Sequence, residues 1–127
     1  MRGVSLKGLR VLVLEEEVLI ALDLEQICRD FGAAQVTVAR TLDEAEAAGA
    51  DFDVAIIDVM LAGRSTLDFA AGLRARDVPF LLSTGYSDAG QLVGDRFDVE
   101  IVDKPFSGTT LVAAIVTTLD RHHRNRF

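Results

Sequence analysis

Polar residues of a few types stand where short apolar runs of the chain stop, and together they suit phosphoryl chemistry. Glu15 and Glu16 follow the first such run, Asp58 ends a later one, and Thr84 and Lys104 follow two more. Carboxylates at close quarters attract a hard cation such as Mg²⁺, which uses one or two carboxylates together with phosphate oxygens. A carboxylate beside such a cation can carry a phosphoryl group, whose oxygens then need a lysine or hydroxyl donor. These residues therefore supply the parts of a phosphoryl-accepting site, with Asp58 as the acceptor.

The sequence predicts five alternating strand–helix units, which would bring these residues together. The predicted strands are short and apolar, whereas the predicted helices place apolar residues at spacings of three and four. Thr41 with Glu44 forms a capping box for the second helix, and Ser107 caps the last one. The predicted strands cover residues 10–14, 35–39, 54–58, 79–83 and 100–102, and the predicted helices cover about 17–31, 41–48, 65–76, 89–96 and 108–124.

This alternation predicts the α/β class, with a doubly wound, parallel five-stranded sheet covered by helices on both faces. In such folds the ligand site lies outside the carboxyl ends of the strands. The polar ends of four predicted strands would then meet at one edge. One strand that ends in a polar residue is ordinary, but four that do so are much less expected by chance. We expect one domain over residues 1–127, with its core at about 9–119 and no output domain.

Composition narrows the function classes further. The net charge is −7 and the pI about 4.7, which argues against nucleic-acid binding because that needs a basic surface. No stretch approaches the roughly 20 apolar residues of a membrane span, and the N-terminus lacks a signal-peptide pattern. A single cysteine, Cys28, excludes an internal disulfide. We therefore expect a cytoplasmic protein without a membrane or nucleic-acid partner.

Four motifs in order resemble the response regulator receiver family of two-component systems. They are Val11-Leu12-Val13-Leu14-Glu15-Glu16-Glu17, Ile56-Ile57-Asp58-Val59-Met60-Leu61, Ser83-Thr84-Gly85 and Asp103-Lys104-Pro105-Phe106. The resemblance covers about residues 9–119. It implies a flavodoxin-like (βα)5 fold with strand order 2-1-3-4-5, in a protein that is a phosphorylated switch rather than an enzyme.

Roles for individual residues follow from the same resemblance. Asp58 would accept a phosphoryl group from a histidine kinase or phosphotransfer protein, Thr84 would be the switch hydroxyl, and Lys104 would contact the phosphoryl group. Glu15 and Glu16, with Asp58 and the backbone carbonyl of Met60, would hold Mg²⁺. The proline after Lys104 is typically preceded by a cis peptide bond in the family. The fourth helix, fifth strand and fifth helix would contact a downstream protein, and the chain would be a monomer or weak homodimer.

The sequence departs from the family at several positions. Glu16 stands where the family usually has Asp, and we predict weaker Mg²⁺ binding than a Glu16→Asp variant would show in a titration. Ile101 occupies the position of an aromatic switch residue, so Tyr86 could contribute a mobile ring instead or could simply be a surface aromatic. Ala62 replaces a common proline, which we expect to relax the loop after Asp58.

Two alternatives to a phosphoacceptor switch follow from the same residues. A pseudo-receiver would use the fold as a protein-binding module with weak or absent phosphorylation because of Glu16. A phosphatase acting through an aspartyl phosphate would typically carry a second Asp two residues after Asp58, where this chain has Met60. A dinucleotide-binding enzyme is poorly supported, because no Gly-x-Gly-x-x-Gly follows the first strand.

Overall fold

A parallel five-stranded sheet forms the centre of the computed structural model, which describes residues 5–85 and 97–125. The sheet strands are β1 (Arg10–Leu14), β2 (Gln35–Ala39), β3 (Val54–Asp58), β6 (Phe80–Thr84) and β7 (Ile101–Asp103), and a separate hairpin contains β4 (Met60–Leu61) and β5 (Arg64–Ser65). The described helices are α1 (Val18–Asp30), α2 (Leu42–Ala47), α3 (Leu67–Ala75) and α4 (Gly108–Asn125).

The strand order in the sheet is β2-β1-β3-β6-β7. Because β4 and β5 lie outside the sheet, β6 and β7 are its fourth and fifth strands in chain order. The predicted flavodoxin-like order of 2-1-3-4-5 is therefore confirmed, as is the α/β class. Every pairing in the sheet is parallel, which places the carboxyl ends of all five strands at one edge.

Two apolar layers bury the sheet from both sides. Successive strand residues point to opposite faces, so Val11 and Val13 pack in one layer and Leu12 and Leu14 in the other. The first layer includes buried residues of α1 and α4, and the second includes buried residues of α2 and α3. Cys28 is fully buried in the α1 and α4 layer, where burial raises the pKa of its thiol to about 11.

Local capping signals fix two helix starts as predicted. The Thr41 hydroxyl accepts a hydrogen bond from the backbone N–H of Glu44 at 3.0 Å, and the Glu44 carboxylate accepts one from the backbone N–H of Arg40 at 2.9 Å. The Ser107 hydroxyl accepts from the backbone N–H of Thr110 at 3.1 Å. These bonds satisfy amide groups that the first turn of a helix leaves without partners.

The segment after Asp58 differs from the relaxed loop expected at Ala62. Met60 and Leu61 pair antiparallel with Ser65 and Arg64, and the two-residue turn between them has positive φ at Ala62 (50°) and Gly63 (75°). A two-residue hairpin favours a turn with positive φ at both central positions, because that twist matches the flanking strands. Proline would not fit this turn, since its ring fixes φ near −65°.

The ends of the described chain add two findings. The basic run at the C-terminus continues α4 to Asn125, and Arg121 donates to the Asp98 carbonyl at 3.1 Å and to the Glu100 carboxylate at 3.2 Å. The predicted helix over residues 89–96 lies outside the described residues. No helix within residues 5–85 and 97–125 is long and apolar enough to cross a membrane.

Candidate functional site

The polar strand ends meet at one edge of the sheet. Leu14 pairs with Ile57 and Asp58 pairs with Ser83, so the residue after β1, Glu15, lies beside Asp58 on the neighbouring strand. Glu15, Asp58 and Ser83 all point to the α1 and α4 face, because they continue the alternation of the strand residues that pack there. The register of the sheet therefore brings the polar ends of these strands to one edge.

Lys104 joins the two buried carboxylates of this cluster. Its ammonium group lies 2.6 Å from Glu15 Oε1 and 3.1 Å from Asp58 Oδ2. The Glu15 side chain is completely buried, and the side chains of Asp58 and Lys104 are 11% and 14% exposed. Two carboxylates at such close quarters repel each other, so the single ammonium between them is the cation that offsets their charge.

The surroundings shift the proton affinity of both Asp58 and Lys104. Burial, with the nearby charge of Glu15, raises the pKa of the Asp58 carboxyl to about 6, although Lys104 acts in the opposite direction. Burial alone would lower the pKa of Lys104, but its hydrogen bonds to Glu15 and Asp58 and their charges outweigh burial and raise it. Asp58 is thus mostly ionised at neutral pH, while Lys104 keeps its proton.

Two contacts hold the backbone and carboxylate of Asp58 in place. The buried Thr66 hydroxyl lies 2.6 Å from the Asp58 carbonyl and 3.0 Å from the Val59 carbonyl. The backbone N–H of Met60 donates to Asp58 Oδ1 at 3.3 Å. Thr66 carries no functional signal in the sequence, because a threonine just before a helix is ordinary and only the fold brings it back to Asp58.

The acidic segment after β1 is held by its own backbone and by Arg40. The backbone N–H of Glu17 donates to Glu15 Oε2 at 3.2 Å, and the backbone N–H of Glu15 donates to the Ala39 carbonyl at 3.0 Å. The Arg40 guanidinium donates twice to the carbonyl of Glu16, at 3.2 and 2.9 Å. Arg40 was not predicted as part of the site, because an arginine after a strand is usually just a solvated surface residue.

The other predicted residues lie as follows. Thr84 ends β6 at this edge and is 4% exposed, and its carbonyl accepts from the backbone N–H of Lys104 at 2.8 Å. The Lys104–Pro105 peptide bond is cis, as predicted. Ile101 pairs with Leu82 on the edge strand β7 and is 40% exposed. Tyr86 lies outside the described residues, so its switch role stays a prediction.

The oxygen groups at this edge match the donors that Mg²⁺ prefers. Glu15 and Asp58 present two carboxylates on neighbouring strands, and the Met60 carbonyl follows Asp58 by two residues. Within residues 5–85 and 97–125, no three His, Cys, Asp or Glu side chains come together as a metal cluster, so a cation at this edge would also need the Met60 carbonyl and phosphoryl oxygens. The arrangement that is present fits a magnesium site built from carboxylates and a backbone carbonyl, in which Lys104 now contacts both carboxylates.

Comparisons with known proteins agree with this fold. No protein-family model and no curated protein matches the sequence. Among solved structures, a response regulator receiver domain protein from Clostridium thermocellum superposes with a TM-score of 0.75 at 21% identity, covering 88% of this chain and 94% of that one. The receiver domain of the response regulator PhyR from Erythrobacter litoralis gives 0.71 at 29% identity, covering 90% and 92%. PhyR from Brucella abortus gives 0.82 at 29% identity, covering 96% of this chain and 52% of that one.

The fold thus groups the chain with one class of known structures. The chain is similar over most of its length to response regulator receiver domains, and the resemblance predicted from the sequence is confirmed. Such domains act in two-component signalling.

Proposed function

We propose that this chain is a phosphoacceptor switch of two-component signalling that carries its phosphoryl group on Asp58. The observation that carries the proposal is the cluster in which Lys104 lies 2.6 Å from Glu15 and 3.1 Å from Asp58 at the carboxyl edge of the sheet. A nucleophilic carboxylate, a lysine donor and a second carboxylate are the parts that phosphoryl transfer to an aspartate requires.

The transfer uses Asp58 as the nucleophile. One oxygen of the ionised carboxylate forms a bond to phosphorus, and the bond between phosphorus and the nitrogen of a phosphohistidine donor breaks. The donor histidine keeps that electron pair, so the phosphoryl group becomes an acyl phosphate on Asp58. The backbone N–H of Met60 holds the carboxylate, and the hydroxyl of Thr66 holds the Asp58 backbone carbonyl, which favours attack because little reorganisation remains.

Lys104 and Thr84 are the proposed donors to the transferred group. The Lys104 ammonium already contacts Asp58 and is fixed by the Glu15 carboxylate, so it offsets charge that the phosphoryl oxygens bring. Thr84 ends the neighbouring strand β6, where its hydroxyl would act as the switch group. A phosphoryl group adds roughly two negative charges, enough to shift an existing two-state equilibrium of nearby groups.

We propose Mg²⁺ as the cofactor, held by Glu15, Glu16, Asp58 and the Met60 carbonyl. When bound, the cation would neutralise negative charge on the phosphoryl oxygens. Glu15 and Asp58 support this set because they follow the paired residues Leu14 and Ile57 on neighbouring strands, whereas Arg40 binds the backbone carbonyl of Glu16. Glu16 is therefore the least supported ligand of the proposed set.

The proposed partners are a histidine kinase or phosphotransfer protein as donor and a downstream protein as receiver of the signal. The exposed Ile101 on the edge strand β7, with the neighbouring helix α4, supports an output surface there. In this proposal the chain acts by protein contact or onward phosphotransfer. It turns over no substrate other than its own acyl phosphate.

A pseudo-receiver is the second candidate, because Lys104 and the Glu17 amide occupy both oxygens of Glu15. The two candidates differ in one measurement: incubation with acetyl phosphate and Mg²⁺, followed by intact-protein mass spectrometry, with the Asp58→Asn variant as control. We expect the wild-type chain to gain the mass of one phosphoryl group and the variant to gain none. Absence of added mass in the wild type at any Mg²⁺ concentration would favour the pseudo-receiver.

A further inference from the structure

Ser83 carries a buried hydroxyl that the proposed switch does not yet use. Its side chain is 1% exposed, and its Oγ is the buried side-chain polar atom that has no hydrogen-bond partner in the described part of the chain. Buried polar groups are almost always paired, since leaving one without a partner costs free energy. An unpaired hydroxyl kept at a site points to a partner that is present in another state of the molecule.

The position of Ser83 shows where that partner would be. Ser83 pairs in register with Asp58, so their side chains are neighbours on the same face of the sheet. Lys104 extends from the end of β7 to Asp58 on β3, and β6 lies between those two strands. The Lys104 side chain therefore crosses the end of β6. A methyl group built on Gly85, two residues after Ser83, would meet Lys104 Cδ at 4.0 Å, consistent with this path.

We propose that the Ser83 hydroxyl donates a hydrogen bond to an oxygen of the acyl phosphate on Asp58, as a phosphoryl-binding group additional to Thr84 and Lys104. In the unphosphorylated chain Lys104 is drawn toward both Glu15 and Asp58, and the Ser83 hydroxyl lacks an acceptor. Phosphorylation brings three acceptor oxygens to a carboxylate beside Ser83. The hydroxyl then gains a charged partner in a buried setting, where such bonds are strongest.

A simpler alternative explains Ser83 by size alone. A small residue under the Lys104 side chain leaves room for it, and alanine would serve equally well for that purpose. The two explanations differ in what loss of the hydroxyl does. Under the proposal, the phosphorylated state weakens while the unphosphorylated state does not, because only the former uses the hydrogen bond.

The test compares Ser83→Ala with Ser83→Thr, which keeps a hydroxyl, and with Thr118→Val as a control. Thr118 is also buried, but its hydroxyl is paired with the Ala114 carbonyl at 2.8 Å within α4. Each variant of the 127-residue chain is assayed for the lifetime of the acyl phosphate formed from acetyl phosphate, for beryllofluoride affinity by calorimetry, and for urea stability without phosphodonor. Beryllofluoride with Mg²⁺ serves as a mimic of the phosphoryl group.

We expect Ser83→Ala to reduce beryllofluoride affinity by about tenfold, the usual effect of losing a hydrogen bond to a charged group, and to shorten the acyl-phosphate lifetime. Its urea stability should equal or exceed that of the wild type, because an unpaired buried hydroxyl is removed. Ser83→Thr should keep beryllofluoride affinity within about threefold of wild type, and Thr118→Val should change urea stability without changing this affinity.

Wild-type affinity and lifetime in Ser83→Ala would overturn the inference and leave size as the explanation. Equal losses in Ser83→Ala and Ser83→Thr would also overturn it, since a hydroxyl would then not matter. If Ser83→Ala fails to fold, Ser83→Cys is used in its place, because cysteine keeps the size of the side chain but is only a weak hydrogen-bond donor. The inference rests on the proposed function. Failure of the wild-type chain itself to accept phosphate or beryllofluoride would overturn both, a result distinct from failure of the Ser83 variants alone.

Discussion

Replacing Asp58 with Asn should stabilise the unphosphorylated chain, and the gain should depend on pH. Asp58 is buried, and burial together with the charge of Glu15 raises the pKa of its carboxyl from 3.8 to about 6. Between about pH 4 and pH 6 the folded chain keeps a proton at this position that the unfolded chain has lost. The folded state therefore binds more protons, and the wild-type free energy of unfolding falls as pH rises through that window.

The size of this effect follows from the pKa rise. A change from 3.8 to about 6 corresponds to about 3 kcal/mol, an upper figure because the charges of Asp58, Glu15 and Lys104 are coupled. Asn has the shape of Asp but never ionises. The difference in free energy of unfolding between Asp58→Asn and wild type should therefore be small at pH 4 and increase to about 2–3 kcal/mol by pH 7.

Urea denaturation from pH 4 to pH 8, in buffer with chelator and without phosphodonor, measures this difference directly. Subtracting the wild-type curve removes the contributions of other groups, such as Asp53, whose pKa is lowered beside Arg10. Thr118→Val, at a buried position without a titratable side chain, is the control and should give a difference that does not increase with pH in this way. A difference in free energy of unfolding that stays constant with pH would refute the explanation that burial and the charge of Glu15 raise the pKa of Asp58.

Three further changes test other parts of the structure. Lys104→Met should lower the free energy of unfolding by about 3 kcal/mol at pH 7, because it leaves the fully buried Glu15 without its cation; a loss below about 1 kcal/mol in urea would contradict this role. Arg40→Ala should weaken Mg²⁺ binding by about twofold to fivefold in a titration, because the Arg40 guanidinium holds the Glu16 carbonyl. The effect is smaller than for the loss of a buried supporting residue, because Arg40 is exposed. Unchanged Mg²⁺ affinity would exclude Arg40 from positioning the acidic segment. Ala62→Gly should raise thermal stability by about 0.5–1 kcal/mol, since Ala62 has a φ of 50° that glycine adopts without a steric cost; lower stability would argue against the hairpin turn.

Much of the fold could be predicted because its strands are short, apolar and bounded by clear signals. Residues 10–14, 35–39 and 54–58 form strands with the predicted bounds. The hairpin after Asp58 was missed, because strands of two residues such as Met60–Leu61 are too short to produce a periodic pattern. The turn residue Ala62 gave no signal either, since alanine rarely adopts positive φ.

The composition of the site could be predicted more fully than its contacts. Residue types and strand ends placed Glu15, Asp58 and Lys104 at one edge, but they could not determine that the lysine bonds both carboxylates. That arrangement depends on how far the Lys104 side chain reaches across β6, which is a property of the assembled sheet. Thr66 and Ser83 acquire importance only through burial and register, which local sequence patterns do not encode.

The central claim is that Asp58 itself carries the phosphoryl group, and borohydride trapping tests it most directly. After reaction with acetyl phosphate and Mg²⁺, reduction with sodium borohydride converts an aspartyl phosphate to homoserine, and peptide mass spectrometry locates the change. We predict homoserine at position 58, dependent on the phosphodonor and absent from the Asp58→Asn variant. Homoserine at another position, or phosphodonor-dependent mass with Asp58 unmodified, would contradict the account.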